Sequence, residues 1–257
     1  GQDVISPASH SSFSTPRELL HFIVKLRELS GGKPVGFKFC VGRRYQFFAL
    51  CKAMLETGIT PDFITVDGGE GGTGAAPLEF ANSMGEPLRD GLSFVHSALK
   101  SVGLRDEIRI IASGKVFTAF HILRAMALGA DSVNCGRAMM FALGCIQAKQ
   151  CNSGNCPTGV ATQDPKRALA LDVDSKAKRV CLYQQDTLEN LLELAAAAGL
   201  ENYLEVRPEL VNRRISSTET RTYAEIYPEM ESGCLLSEST VPEHWKLAWS
   251  KADPDHW

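Results

Sequence analysis

Cys145, Cys151 and Cys156 fall within twelve residues, in the pattern Gly144-Cys145-x5-Cys151-x4-Cys156-Pro157. Three thiolates followed by a proline suit an iron–sulfur cluster, whose irons take cysteine ligands. Structural zinc, by contrast, usually closes four ligands built from tighter Cys pairs. Zinc and a chance grouping of free thiols are the other readings of this spacing. His121, Cys135 and Cys181 are the nearest further ligand types, and each falls inside a predicted strand or helix, where such residues are more often core.

A second chemical stretch is Asp67-Gly68-Gly69-Glu70-Gly71-Gly72-Thr73-Gly74, in which five of eight residues are glycine. Glycines at a strand end let backbone N–H groups approach an anion or a flat ring with no side chain in the way. The match to GxGxxG is formal only: that fingerprint must open a helix, and Ala75-Ala76-Pro77 continues as loop. A ligand-free hairpin or lid is the bland alternative. Two further strand ends, Ala112-Ser113-Gly114-Lys115 and Asn134-Cys135-Gly136-Arg137, are small-residue turns that feed helices. Such turns hold phosphate on backbone amides and helix N-termini, or else are ordinary connections with solvated cations. Lys38 is the one charge in the run Gly36-Phe37-Lys38-Phe39-Cys40, which reads as a buried strand. Its ammonium is costly there unless it meets an anion or an electron-rich group.

These stretches need a scaffold. Thr15-Pro16-Arg17-Glu18 is a capping box with proline at the first helical position, and apolar residues recur from Leu19 to Leu29 at helical spacing. Short β-branched and aromatic runs follow at 35–40, 63–67, 108–112 and 131–135, each succeeded by a helical pattern, two of which close on Gly58 and Gly129. Alternation of this kind predicts parallel strands with helical crossovers, in an open sheet or in part of a barrel. Residues 174–199 predict one long amphipathic helix on the exterior, and the sequence from 201 reads as an irregular tail that frays.

The chain has 257 residues, 44% of them hydrophobic, with 27 Lys+Arg against 30 Asp+Glu. That balance excludes disorder and fibres, and it leaves no basic stripe for nucleic acid. No apolar run approaches a membrane span and GQDVISPASH is not a signal peptide, so a soluble, cytoplasmic protein is expected. An opening at Gly1 without methionine points to a fragment or a processed chain.

The stretches GFKFC, VDGGEGGTGAAPLEF, GLRDEIRIIASGK, ALGADSVNCGRAMMFALGCIQAKQC and NCPTGVATQ resemble the FMN-binding synthase domain of glutamate synthase, most closely its stand-alone members. The later VNRRIS and EIYPEM look like the tail of those members. The resemblance implies a (β/α)8 barrel holding FMN. Residues 1–170 would be its C-terminal half, strands five to eight, and 171–257 a helical and irregular extension packed on it. It implies a [3Fe-4S] cluster on Cys145, Cys151 and Cys156, and Lys38 beside the flavin ring. Gly71, Gly72, Thr73, Ser113, Gly114, Lys115, Gly136 and Arg137 would hold the ring edge, ribityl chain and phosphate. Glu70 would relay a proton or order the loop.

The implied reaction joins ammonia to 2-oxoglutarate and reduces the product to L-glutamate, with electrons from a ferredoxin or a nicotinamide-linked partner. Glutamine hydrolysis is not expected. The alternatives are a phosphate-ligand barrel like IMP dehydrogenase, which shares the ALGAD pattern, and a non-catalytic metal- or partner-binding module. Half a barrel has open edges, so a missing N-terminal half or self-association is expected to complete it.

Overall fold

The computed structural model describes residues 7–71 and 78–257. In chain order the elements are α1 (Pro16–Leu29), β1 (Gly36–Phe39), α2 (Arg44–Thr57), β2 (Phe63–Asp67), α3 (Leu78–Ser83), α4 (Leu88–Ser101), β3 (Arg109–Ser113), α5 (Ala119–Ala127), β4 (Ser132–Asn134), α6 (Gly136–Leu143), α7 (Pro165–Ala168) and α8 (Val173–Ala197). A hairpin of β5 (Asn212–Arg214) and β6 (Thr220–Thr222) follows, then α9 (Tyr223–Ile226) and α10 (Glu243–Lys251). The start of α1 obeys its cap: Thr15 Oγ1 accepts from the Glu18 N–H. The return bond of the box reaches one residue further back, where Glu18 accepts from Ser14 N–H, which holds its carboxyl below the usual range.

The first four strands form one parallel sheet in the order β1-β2-β3-β4. Because side chains alternate along a strand, the register sorts them into two faces. Phe39, Val66, Ala112 and Val133 share one row, with Ile64 and Ile110 on the same face, and Ile64, Val66, Ile110 and Ala112 are wholly buried under the helices. The opposite face carries Lys38, Thr65, Ile111 and Ser132 in one row and Asp67, Ser113 and Asn134 in the next. Its residues at β1 and β4 are exposed. The Lys38 side chain keeps 61% of its surface, so the burial expected for it does not occur: β1 is an edge strand and Lys38 points from the helix-free face. The buried-looking run owes its apolar character to Phe37 and Phe39, which face the other way and pack on the core.

Helix α8 matches its predicted span and lies on α5 and α6, burying Leu191 and Ala195. The tail, which by composition alone reads as an end that frays, packs on the core. Trp245 of α10 is buried against Phe48 and Phe94, Lys52 donates to Ala252 O, and Leu235 N–H donates to Ser101 O. Arg17 pairs with Asp255 at 2.8 Å and Lys100 with Glu229. The scattered aromatics that suggested exposure are the tail's anchors; without helical periodicity in the segment, the surface they fill leaves no local pattern.

At the far ends of the strands, Arg105 donates to His96 Nδ1, Ile108 O, Gly129 O and Asp131, tying α4, β3 and the turn before β4 together. Burial and the nearby guanidinium push His96 down to about 4. Unfolded histidine titrates near 6.5, so between those values the unfolded chain binds more protons and stability falls as pH falls. Acidification from pH 7 to 4 is expected to cost about 3 kcal/mol through this group alone. Urea titrations of the native chain and of His96→Gln across that window check it: the difference between them should shrink towards pH 4, and parallel curves would refute it.

Candidate functional site

A cavity of about 460 Å³ opens at the C-terminal ends of the parallel strands, a size within the usual range for a small-molecule site. Its floor is the polar strand-end row of Asp67 from β2, Ser113 from β3 and Asn134 from β4, with Lys38 of β1 from the row before. Its walls are Glu70 and Gly71, then Gly114 and Lys115, then Gly136 and Arg137 at the head of α6. Residues 145–151 close it with Cys156, Thr158 and Ala161. The structure thus brings together Lys38, Glu70, Gly71, Ser113, Gly114, Lys115, Gly136, Arg137 and the three cysteines, all singled out by sequence. Gly72 and Thr73 lie outside the described residues.

Lys38 Nζ sits 3.1 Å from Asp67 Oδ2. Lys38 pairs in register with Thr65, and Asp67 is two residues further along β2, so the salt bridge runs diagonally across the face. Lys115 and Arg137 follow β3 and β4, on the other side of the cavity. Cation therefore stands at both ends, with a hydroxyl and an amide between. The N-terminal end of α6, at Gly136 and Arg137, lines the cavity there, and a helix start favours an anion.

The glycine loop works partly as packing. Gly69 N–H donates to Glu86 O, and a Cβ on Gly69 would lie 2.4 Å from Gly85 O, so only glycine lets this backbone lie against the segment before α4. Both Glu70 carboxylate oxygens accept from the Leu88 N–H, at 2.8 and 3.1 Å, which caps α4 and ties the loop to it. Arg44 grips Glu86 at 2.8 Å from the other side, fixing the strut between the loops after β1 and β2.

The cysteine loop is curled by left-handed residues: Gly144 (φ 105°), Gln147 (φ 56°) and Lys149 (φ 53°). The last two are not glycine, so this curl is held at a cost of about 1 kcal/mol each. The Cys156 thiol is lowered to about 7 by the Thr158 hydroxyl and by backbone N–H groups of Ala161, Thr158 and Val160. That donor set suits a thiolate ligand. The three thiols share one cavity, yet no group of three or more His, Cys, Asp or Glu among the described residues is close enough to hold a metal ion. His121 lies in α5 and Cys181 is exposed on α8, neither lining the cavity.

Asp67 and Asn134 had no role assigned from sequence. Asp67 ends β2 and Asn134 ends β4, both in phase with Ser113 at the end of β3, and their place at or next to the end of a predicted strand was the available signal.

A family model described as the conserved region in glutamate synthase matches residues 1–201. Among curated proteins, the chain is 48% identical over 202 residues to the glutamate synthase large subunit-like protein YerD of Bacillus subtilis, covering 79% of this chain and 38% of that protein. It is 36% identical over 208 residues to the archaeal glutamate synthase [NADPH] of Methanocaldococcus jannaschii, covering 80% and 40%. The chloroplastic ferredoxin-dependent glutamate synthase of Spinacia oleracea is 29% identical over 242 residues, which is 94% of this chain and 15% of that one. The chain thus spans no more than about two fifths of the length of these relatives.

Proposed function

We propose that this chain, which belongs to the glutamate synthase family, carries the flavin-holding part of an oxidoreductase that converts 2-oxoglutarate, ammonium, two electrons and two protons to L-glutamate and water. The observation that carries this reading is the gathering of Lys38, Ser113, Lys115, Arg137 and three cysteines around one cavity at the strand ends. That cavity fits FMN in kind: cations and helix N–H groups for a phosphate, a hydroxyl and an amide for a polyol, and an ammonium for an electron-rich ring. When bound, the flavin supplies hydride transfer and a [3Fe-4S] cluster supplies single electrons.

The chain's own residues do the rest. Lys115, Arg137 and the head of α6 hold the phosphate against solvent. Ser113 and Asn134 orient the polyol, and Lys38 faces the ring. Glu70 orders the glycine loop through its grip on Leu88, which leaves its carboxylate committed to the backbone rather than to proton relay. Cys145, Cys151 and Cys156 are the proposed cluster ligands, supported by the shared cavity wall and by the N–H groups around Cys156. Their sulfurs do not form one coordination group, so no electron route is defined by this geometry.

The proposal takes the sheet as strands five to eight of a (β/α)8 barrel over residues 1–170, with 171–257 as an extension, since β1 and β4 both leave an edge unpaired among the described residues. The electron donor is a ferredoxin or a nicotinamide-linked protein, the two kinds that the relatives' names carry. A cytoplasmic setting fits reduced thiols; no helix among the described residues is long and apolar enough to cross a membrane.

Anaerobically purified protein tests the reading. Flavin bands beneath a broad iron–sulfur shoulder, with flavin and iron in the same sample, are expected, followed by glutamate formation from 2-oxoglutarate and ammonium with a chemical reductant. Colourless protein containing neither would overturn it.

A further inference from the structure

The cavity holds a pairing that the proposed reaction does not by itself require. Lys38 is the cation on the β1 side of the cavity, and it is drawn towards β2 by Asp67 at 3.1 Å. Lys38 stands on an edge strand, with a flexible stem and a largely exposed side chain, so nothing else in the described residues fixes its ammonium. Asp67 is the more enclosed partner, with 27% of its side chain exposed, and it is held in phase with Ser113 by the β2–β3 register. The rigid member of the pair is thus the carboxylate and the movable one is the lysine. Asp67 also lines the cavity itself, so its charge lies against the same ligand.

We propose that Asp67 is a positioning residue: it holds the Lys38 ammonium back against the sheet and so limits the positive charge that the cavity offers to a bound flavin. This rests on the flavin reading above. An anionic, reduced ring gains from a nearby cation and loses from a nearby carboxylate. Asp67 therefore keeps the reduction potential of the bound flavin lower than Lys38 alone would set it.

Removing the carboxylate has two effects. The negative charge disappears, and the released ammonium can swing towards the ring. In Asp67→Asn the reduced flavin is expected to gain about tenfold in affinity relative to the oxidised form, a rise of about 30 mV for a two-electron couple. If Lys38 is already methionine, only the first effect remains, so the same Asp67→Asn change is expected to move the potential by clearly less.

The experiment is a spectroscopic redox titration of flavin-loaded protein in four forms: native, Asp67→Asn, Lys38→Met and the double variant. Asp67→Ser serves as a second neutral replacement and is expected to shift the potential in the same direction. An unchanged potential in both neutral variants overturns the proposal. Equal shifts with and without Lys38 overturn it too, because Asp67 would then act on the flavin directly. Loss of flavin from both neutral variants with an unchanged circular dichroism spectrum also counts against it, since a residue that only restrains Lys38 is not needed for binding. Native protein that takes up no flavin refutes the underlying reading instead, and that result is seen before any variant is titrated.

Discussion

Alanine at Trp245 is expected to lower the stability of the folded chain by about 3–5 kcal/mol, the usual cost of emptying a large aromatic site. Trp245 is 4% exposed and meets Phe48 edge-on at 5.2 Å and Phe94 at 5.8 Å, where α10 crosses α2. Phe48 itself is wholly buried, so the void opens inside the core and cannot fill with water at low cost. The indole carries a second message. Its Nε1 is buried with no hydrogen-bond partner, a desolvated donor that costs free energy. Trp245→Phe gives up area but also that unpaired N–H, so its cost is expected to be under half that of alanine. Urea unfolding followed by circular dichroism checks both. An alanine variant within 1 kcal/mol of the native chain would mean that the tail is not anchored there.

Gly129→Ala is expected to cost about 3 kcal/mol or more, by a different route. Gly129 stands at φ 99°, and a Cβ there would lie 2.2 Å from His96 Nδ1. A left-handed backbone costs an L-residue about 1–2 kcal/mol, and overpacking adds about 1–3 kcal/mol. The ring cannot step aside freely, because its Nδ1 accepts from Arg105, which also holds Gly129 O. Forcing the ring out therefore loosens the whole Arg105 lock. The variant is expected to lose the pH dependence assigned to His96 along with its stability. A variant unfolding at the native urea concentration, with the acid slope intact, would show that the lock yields without strain.

How much of this was legible beforehand depends on the kind of constraint. The four strands and their helices follow from local chemistry, including the Thr15 cap and the glycines at 58 and 129, and local chemistry is visible in a single chain. Glu70, Gly71, Gly114, Lys115, Gly136 and Arg137 were legible because they follow strand ends, Lys38 because it is a charge inside an apolar strand, and the cysteines because of their spacing. What failed was anything set by the partner surface. Lys38 read as buried because its apolar neighbours belong to the opposite face, and a four-residue strand does not reveal which face is covered. The tail read as frayed because Trp245 and Leu235 pack on α2 and α4, at a separation no periodicity records. The glycine loop read as a ligand cradle only; Gly71 does line the cavity, but Gly69 also serves close packing on Gly85, a contact that no spacing announces. Asp67 was hidden in that same run, where its phase with Ser113 mattered more than its neighbours.

The Arg17–Asp255 pair, 238 residues apart in sequence, is joined by a backbone bond from Arg17 N–H to Pro254 O. The first helix and the last turn are thus stitched to one another, and Lys52 adds a third stitch through Ala252. A proteolytic cut between residues 200 and 240 would therefore leave two pieces that stay together until denaturant separates them. A truncation near residue 170 would likewise strip Trp245 and Trp249 from Phe48.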